Sequence, residues 1–240
     1  MIRVISFDVG ETLLRPYPRF GERLVQCCRE SGQQLPIDAE KHLETFASTY
    51  FSTLRRSGST YSRSEDESRR AWLGLYQSFL AHQGVPRSVI PSLAERLYGT
   101  FTDPSTYRLF DDAWPVLTEL RDRGFSIGVI SNWEGWLTKL LEACGVARLL
   151  DFSAISGVVG YEKPDPRIFH WAIDAALVAP SEILHVGDSP RDDVAGARQV
   201  GLEAVLLDRH GRHVDAEVRR VVSLRELLDF PELSGLQEAN

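Results

Sequence analysis

Lysine is nearly missing from this 240-residue chain, which carries only Lys41, Lys139 and Lys163. Arginine supplies most of the positive charge, and acidic residues outnumber basic ones to leave a net charge of −7. That balance speaks against a general nucleic-acid binder, whose surface must displace counterions, and against docking on an anionic membrane. No apolar run approaches the ~20 residues a membrane span requires. The stretch from Met1 to Asp8 is too short, and too soon charged, to read as a signal peptide. Cysteine is scarce too. Cys27, Cys28 and Cys144 make neither an even disulfide framework nor a zinc site, so a reducing, cytoplasmic setting is expected. The neighbouring Cys27 and Cys28 read as helix packing. What remains is an ordinary globular composition, long enough for one α/β domain and a smaller second unit.

Short β-branched runs recur along the chain, each followed by a helical pattern. Residues 2–9, 125–131, 152–156, 183–187 and 204–207 are the candidate strands. They are apolar throughout rather than alternating, as strands covered on both faces are. Asp111 and Asp112 are placed to cap a helix carrying Ala113, Val116, Leu117 and Leu120, with Gly124 closing it. Residues 167–178 and 194–200 repeat the helical period. Strand–helix alternation of this kind predicts an α/β fold with a Rossmann-like parallel sheet.

One interval breaks the rhythm. Between Gly10 and Asp111 no strand run is apparent, and the patterns are helical: residues 20–29 ending near Gly32, 38–56 with Leu43, Phe46, Tyr50 and Leu54 on one stripe, a third helix with Trp72, Leu75, Tyr76 and Phe79, and 89–101. Ser64 followed by Glu67 has the capping-box form at the start of the third helix. Proline-containing linkers at residues 15–18 and 102–105 bracket the interval. A helical module inserted after the first strand follows.

Four segments fall at or just after candidate strand ends, where open α/β sheets hold their ligands. They are Phe7-Asp8-Val9-Gly10-Glu11-Thr12-Leu13, Ile130-Ser131-Asn132, Glu162-Lys163-Pro164-Asp165, and Val186-Gly187-Asp188-Ser189-Pro190-Arg191-Asp192-Asp193. Their chemistry converges. The acidic residues suit a hard cation that prefers oxygen ligands. A hydroxyl and a lysine suit anionic oxygens, and a carboxylate can attack phosphorus. A lysine kept before Pro164 in so arginine-rich a chain suggests a site for a compact ammonium rather than a planar guanidinium.

Taken together in this order, the four segments resemble the motifs of the haloacid dehalogenase-like superfamily, in the subfamily with a helical cap after the first motif. The resemblance covers nearly the whole chain, and implies a core from residues 1–15 and 106–240 with an all-helical cap over 16–105. It implies that Asp8 forms an aspartyl-phosphate, that Ser131 bonds a phosphoryl oxygen and that Lys163 neutralises charge. It assigns Mg²⁺ to Asp8, the backbone carbonyl of Gly10, Asp188 and Asp193, with Asp193 favoured over Asp192. Asn132, Gly10 and Glu11 would then face the substrate, a small phosphate ester. Trp133, Glu134 and Trp136 follow the second motif, and packing is the expected role of the tryptophans.

The chain departs from the family pattern at Gly10, where family phosphatases usually carry an acid–base Asp. That role is worth roughly 10²–10⁴ in rate. Three readings follow: a Mg²⁺-dependent phosphatase, a catalytically weak protein that binds phosphate ligands or partners through the same cleft, and a 2-haloacid dehalogenase. Dehalogenases of this superfamily lack an acidic residue where Asp188 stands, which counts against the third.

Overall fold

The computed structural model describes residues 1–215 and 217–235. In chain order its main elements are β1 (Val4–Phe7), β2 (Leu14–Pro16), α1 (Phe20–Glu30), α2 (Ala39–Arg56), α3 (Glu65–His82), α4 (Ile90–Phe101), β3 (Tyr107–Leu109) and α5 (Ala113–Asp122). There follow β4 (Ser126–Ser131), α6 (Leu137–Ala143), β5 (Phe152–Ile155), the single-turn α7 (Ser156–Val159), α8 (Pro166–Ala176), β6 (Ile183–Gly187), α9 (Gly196–Gln199), β7 (Glu203–Leu207) and β8 (Arg220–Val221). They form two compact units, one from Met1–Leu14 with the chain from Leu109 onward, the other from Arg15–Arg108.

The first unit is built on a six-stranded sheet in the order β5-β4-β1-β6-β7-β8, with every pair parallel. Both central strands, VISF and ILHVG, are buried at every position, as their unbroken sequence pattern requires. One core layer joins Val4, Ile130 and Ile183 to Ile168, Phe169 and Ala172 of α8. Asp165 and Pro166 start that helix, the Asp165 carboxylate accepting from the Arg167 N–H at 3.0 Å. On α5, Val116, Leu117 and Leu120 are fully buried, and Gly124 ends the turn at φ +91°, a value only glycine adopts readily.

The second unit is helical. Leu24, Leu43, Leu75, Tyr76, Phe79, Leu93, Leu97 and Phe101 form its core. Ser64 does cap α3, its hydroxyl accepting from the Glu67 N–H at 3.2 Å.

Three local readings need correction. The interval after Gly10 is not free of strand: β2 and β3 pair with each other, apart from the central sheet. Each is three residues long, and β2 ends in a proline that keeps it at an edge, so neither gives a periodic signal. Asp112 does not cap α5 through its side chain. Its carboxylate instead takes both Arg209 terminal nitrogens (2.8 and 2.9 Å), the Ser223 hydroxyl (2.8 Å) and the Leu224 N–H (2.9 Å). The helix expected over residues 194–200 is regular only at Gly196–Gln199: Pro190–Ala195 is a wide turn, with the Val194 N–H reaching back to Ser189 O. Helix α6, following the tryptophans, is a further element the sequence pattern does not announce.

Candidate active site

Strand register builds the site. Asp8 stands one residue beyond β1, its N–H donating to Val186 O of β6 at 2.8 Å. Ser131 is the last residue of β4, the other neighbour of β1, and Asp188 follows β6 directly. The carboxyl ends of three adjacent strands therefore deliver Ser131, Asp8 and Asp188 side by side, where connections leave the sheet in different directions.

Lys163 joins them from the loop before α8. Its ammonium donates to Asp8 Oδ1 at 2.8 Å, to Asp193 Oδ1 at 2.5 Å and to the Ile130 carbonyl at 2.8 Å. All three N–H donors are thus used, and the side chain is only 3% exposed. The Ser131 hydroxyl donates to the same Asp8 oxygen at 3.1 Å. Asn132 acts on the lysine through the backbone: its Nδ2 donates to Lys163 O (2.9 Å) and its Oδ1 accepts from the Lys163 N–H (2.6 Å). Both polar ends of the Asn132 amide hold the lysine loop rather than reaching toward a ligand.

Asp193, not Asp192, is the buried member of its pair. The wide turn at Pro190–Ala195 aims it inward, and the Ser189 N–H donates to its Oδ2 at 2.9 Å. Its carboxylate lies directly over Gly187, where an added β-carbon would meet Asp193 Cγ at 2.2 Å. Glycine is required there by space.

Charge is unbalanced in this cluster. Burial penalises every ion, yet Asp8 and Asp193 hold the lysine firmly protonated. Burial also opposes ionisation of Asp193, but Lys163 and His185 win and keep it well below the usual carboxylate range. Asp8 is raised, mainly by burial, with Asp193 adding repulsion against the pull of Lys163. Asp188 is raised furthest, by burial and then by the Asp8 and Asp193 charges. One ammonium serves three carboxylates, and Asp188 is the one left over.

A hard divalent cation fits that deficit. Asp8, Asp188 and Asp193 each present a carboxylate oxygen within 4.8 Å of the others, the only such group among the described residues. All donors are oxygen, as Mg²⁺ prefers.

Around this centre, Gly10 has an unexpected neighbour. A β-carbon at Gly10 would lie 3.1 Å from Cζ3 of Trp133, so the indole stands over the place where an acid–base side chain would begin. Trp133 is itself held: its N–H donates to Ser156 Oγ (2.9 Å), and its carbonyl accepts from the Ser156 hydroxyl (3.1 Å) and the Gly157 N–H (2.9 Å). Trp136 meets it edge to face at 5.5 Å. Glu11 adopts a left-handed φ of 55°, rare for a residue with a side chain. Its carboxylate is 3.7 Å from His210 Nε2, in a pocket that Asp188 also lines.

Residues that motif reading passes over also converge here. Ser6 and His185 are register partners on β1 and β6, and His185 reaches Asp193. Their signal in the sequence is a lone polar residue in each of two apolar strands.

Comparison with known proteins places the chain among others of this architecture. A model of the haloacid dehalogenase-like hydrolase family matches residues 2–201. The chain is 34% identical over 208 residues to the haloacid dehalogenase-like hydrolase domain-containing protein 3 of Bos taurus, covering 86% of this chain and 82% of that protein. It is 35% identical over 182 residues to a phosphoserine phosphatase of Thermus thermophilus, covering 73% of each. Among solved structures, a 2-haloacid dehalogenase from Pseudomonas syringae superposes with a TM-score of 0.63 at 26% identity, over 98% of each chain.

Proposed function

Because the chain belongs to the haloacid dehalogenase-like hydrolases, we propose that it is a magnesium-dependent phosphatase acting on a small phosphomonoester, with Asp8 as nucleophile. The observation that carries this reading is the charge count: three carboxylates share one lysine, and the surplus at Asp188 calls for a cation. A superfamily member built for halide displacement has no use for that surplus, which sets the phosphatase reading above the dehalogenase one.

Asp8, Asp188 and the Gly10 carbonyl would hold the ion, with Asp193 orienting the lysine beside it. Bound there, Mg²⁺ would supply positive charge that lets an anionic phosphoryl group approach an anionic carboxylate. The protein's own residues do the rest. A carboxylate oxygen of Asp8 forms a bond to phosphorus as the ester oxygen departs, giving an aspartyl-phosphate that water then cleaves. Ser131 O–H and Lys163 N–H, which address Asp8 in the free protein, pass to the phosphoryl oxygens. The gain comes from positioning and fixed charge rather than from added chemistry. With Trp133 over Gly10, no acid–base side chain stands at that position, so esters whose leaving oxygen needs little protonation are the best substrates. The helical unit over Arg15–Arg108 would serve as the cap, and the three free cysteines suit a reducing, cytoplasmic setting.

Phosphate release from an aryl phosphate, with and without Mg²⁺, tests the proposal, with Asp8→Asn as the control that abolishes it. Halide release from a chloroacid, and no phosphate, would establish the dehalogenase instead. Binding of Mg²⁺ and phosphate without turnover on any ester would leave a ligand-binding protein.

A further inference from the structure

A histidine in the centre of a parallel sheet is costly unless its nitrogens are used. His185 is fully buried in the otherwise apolar strand β6. The edge-to-face ring of Phe169 packs on it at 5.7 Å and fixes its plane. Its Nδ1 lies 2.9 Å from the hydroxyl of Ser6, also fully buried, and its Nε2 lies 3.2 Å from Asp193 Oδ1. Asp193 in turn accepts from the Lys163 ammonium, and Lys163 donates to Asp8. An unbroken chain thus runs Ser6–His185–Asp193–Lys163–Asp8, from mid-sheet to the nucleophile.

Proton counting sets its direction. Asp193 is an ionised acceptor, so His185 must present an N–H at Nε2. Lys163 donates to the same oxygen, Oδ1, so the histidine and the lysine hold one carboxylate oxygen between them. On the far side of the ring Nδ1 meets the Ser6 hydroxyl, which leaves neither imidazole nitrogen without a partner.

We propose that His185 is a positioning residue: held by Ser6 and Phe169, it turns an Nε2–H to the Asp193 carboxylate and fixes the group that aims Lys163 at Asp8. Nothing in the reaction requires His185 to touch the substrate. Gly187 belongs to the same device, since any side chain there would push the Asp193 carboxylate off the histidine. The rate consequences rest on the phosphatase reading above; the Nε2 proton does not.

Two measurements test it on the intact chain. With ¹⁵N-labelled histidine at neutral pH, the His185 signals, assigned by their loss in His185→Gln, should show a protonated Nε2. A ring protonated at Nδ1 alone would overturn the proposal even if the protein hydrolyses nothing. In turnover, His185→Leu should lower kcat by about 10²-fold with KM nearly unchanged, the scale of a misplaced catalytic group. His185→Gln, whose amide N–H can reach toward Asp193, should recover part of that loss. A folded His185→Leu protein with wild-type kcat would refute the proposal. Should His185→Leu fail to fold, Ser6→Ala gives the milder test, expected to shift the His185 ring signals and lower kcat; unchanged signals and rate in that variant would equally refute it. A wild-type protein that releases no phosphate would remove the phosphatase reading while leaving the ¹⁵N result to decide the role of His185.

Discussion

The indole of Trp133 occupies the space that a side chain on Gly10 would enter, with only 3.1 Å between its Cζ3 and the position of a β-carbon. Restoring the family's acid–base residue by Gly10→Asp alone is therefore expected to fail. The backbone at Gly10 is not left-handed, so the obstacle is the indole. Overpacking of this kind costs about 1–3 kcal/mol, to be read as a lower denaturation midpoint without a gain in turnover. Gly10→Asp combined with Trp133→Ala should raise turnover on alkyl phosphates more than on aryl phosphates, by up to roughly 10². An equal gain on both classes would show that proton transfer to the leaving group is not what the chain lacks.

Asp188→Asn should stabilise the metal-free protein while abolishing its stabilisation by Mg²⁺. The carboxylate is raised by burial and by Asp8 and Asp193, so the folded chain binds a proton there that the unfolded chain has released. Stability without metal accordingly falls as pH rises from the ordinary carboxylate range through the raised value. Removing the charge removes that loss, with Tm rising roughly 2–4 °C for each kcal/mol of repulsion relieved. A Tm unchanged by the substitution at pH 7 would contradict the charge count.

Lys163→Met should destabilise by about 3–5 kcal/mol, because it leaves two buried carboxylates facing each other without a cation. The acid response should also change. In the native protein the lowered Asp193 contributes stability above the unfolded carboxylate value that is lost as pH falls through its depressed folded value. In the variant Asp193 has lost its cation and faces Asp8, so that loss should be much smaller. Denaturant midpoints taken as pH falls from about 4 to about 2 distinguish these outcomes. Lys163→Arg should not rescue, since a planar guanidinium cannot meet Asp8, Asp193 and the Ile130 carbonyl from one point.

Asp112→Ala should cost about 3 kcal/mol in chemical denaturation without changing Mg²⁺ binding. It leaves the Arg209 guanidinium without its two-pronged partner, and the Leu224 N–H without an acceptor. Asp112→Asn, which keeps one acceptor, should cost less. Impaired Mg²⁺ binding in the alanine variant would instead place this network in the active site's support, through the Arg209 bond to Thr12 O.

The strands and the four motif residues were legible because each has a local signature. Unbroken apolar runs such as ILHVG mark strands buried on both faces, and Asp8, Ser131 and Asp188 stand at their ends. Ser6 and His185 were not legible as a pair, because their meeting depends on which strands become neighbours and in what register. Asp193 could be preferred over Asp192 but not explained, since the wide turn that aims it has no regular period. The motif order points Asn132 toward a substrate, while its amide is bonded at both ends to the Lys163 backbone, 31 residues on. Trp133 meets Trp136 and stands over Gly10, and its place over Gly10 is a fact of loop geometry alone.

The position of β1 also bears on how the protein comes to be made. Its sheet neighbours are β4 and β6, so β1 is synthesised well before either of the strands it pairs with, which begin at Ser126 and Ile183. At about 5–20 residues per second on the ribosome, the gap to β4 alone amounts to roughly 6–24 s during which Val4, Ile5 and Phe7 have no partner. The helical unit between them closes on its own residues, Phe20 meeting Phe101 at 4.7 Å, and all of them precede β4. It can therefore be complete while the sheet it interrupts has one strand, and a chaperone that shelters the emerging β1 segment would act in that interval.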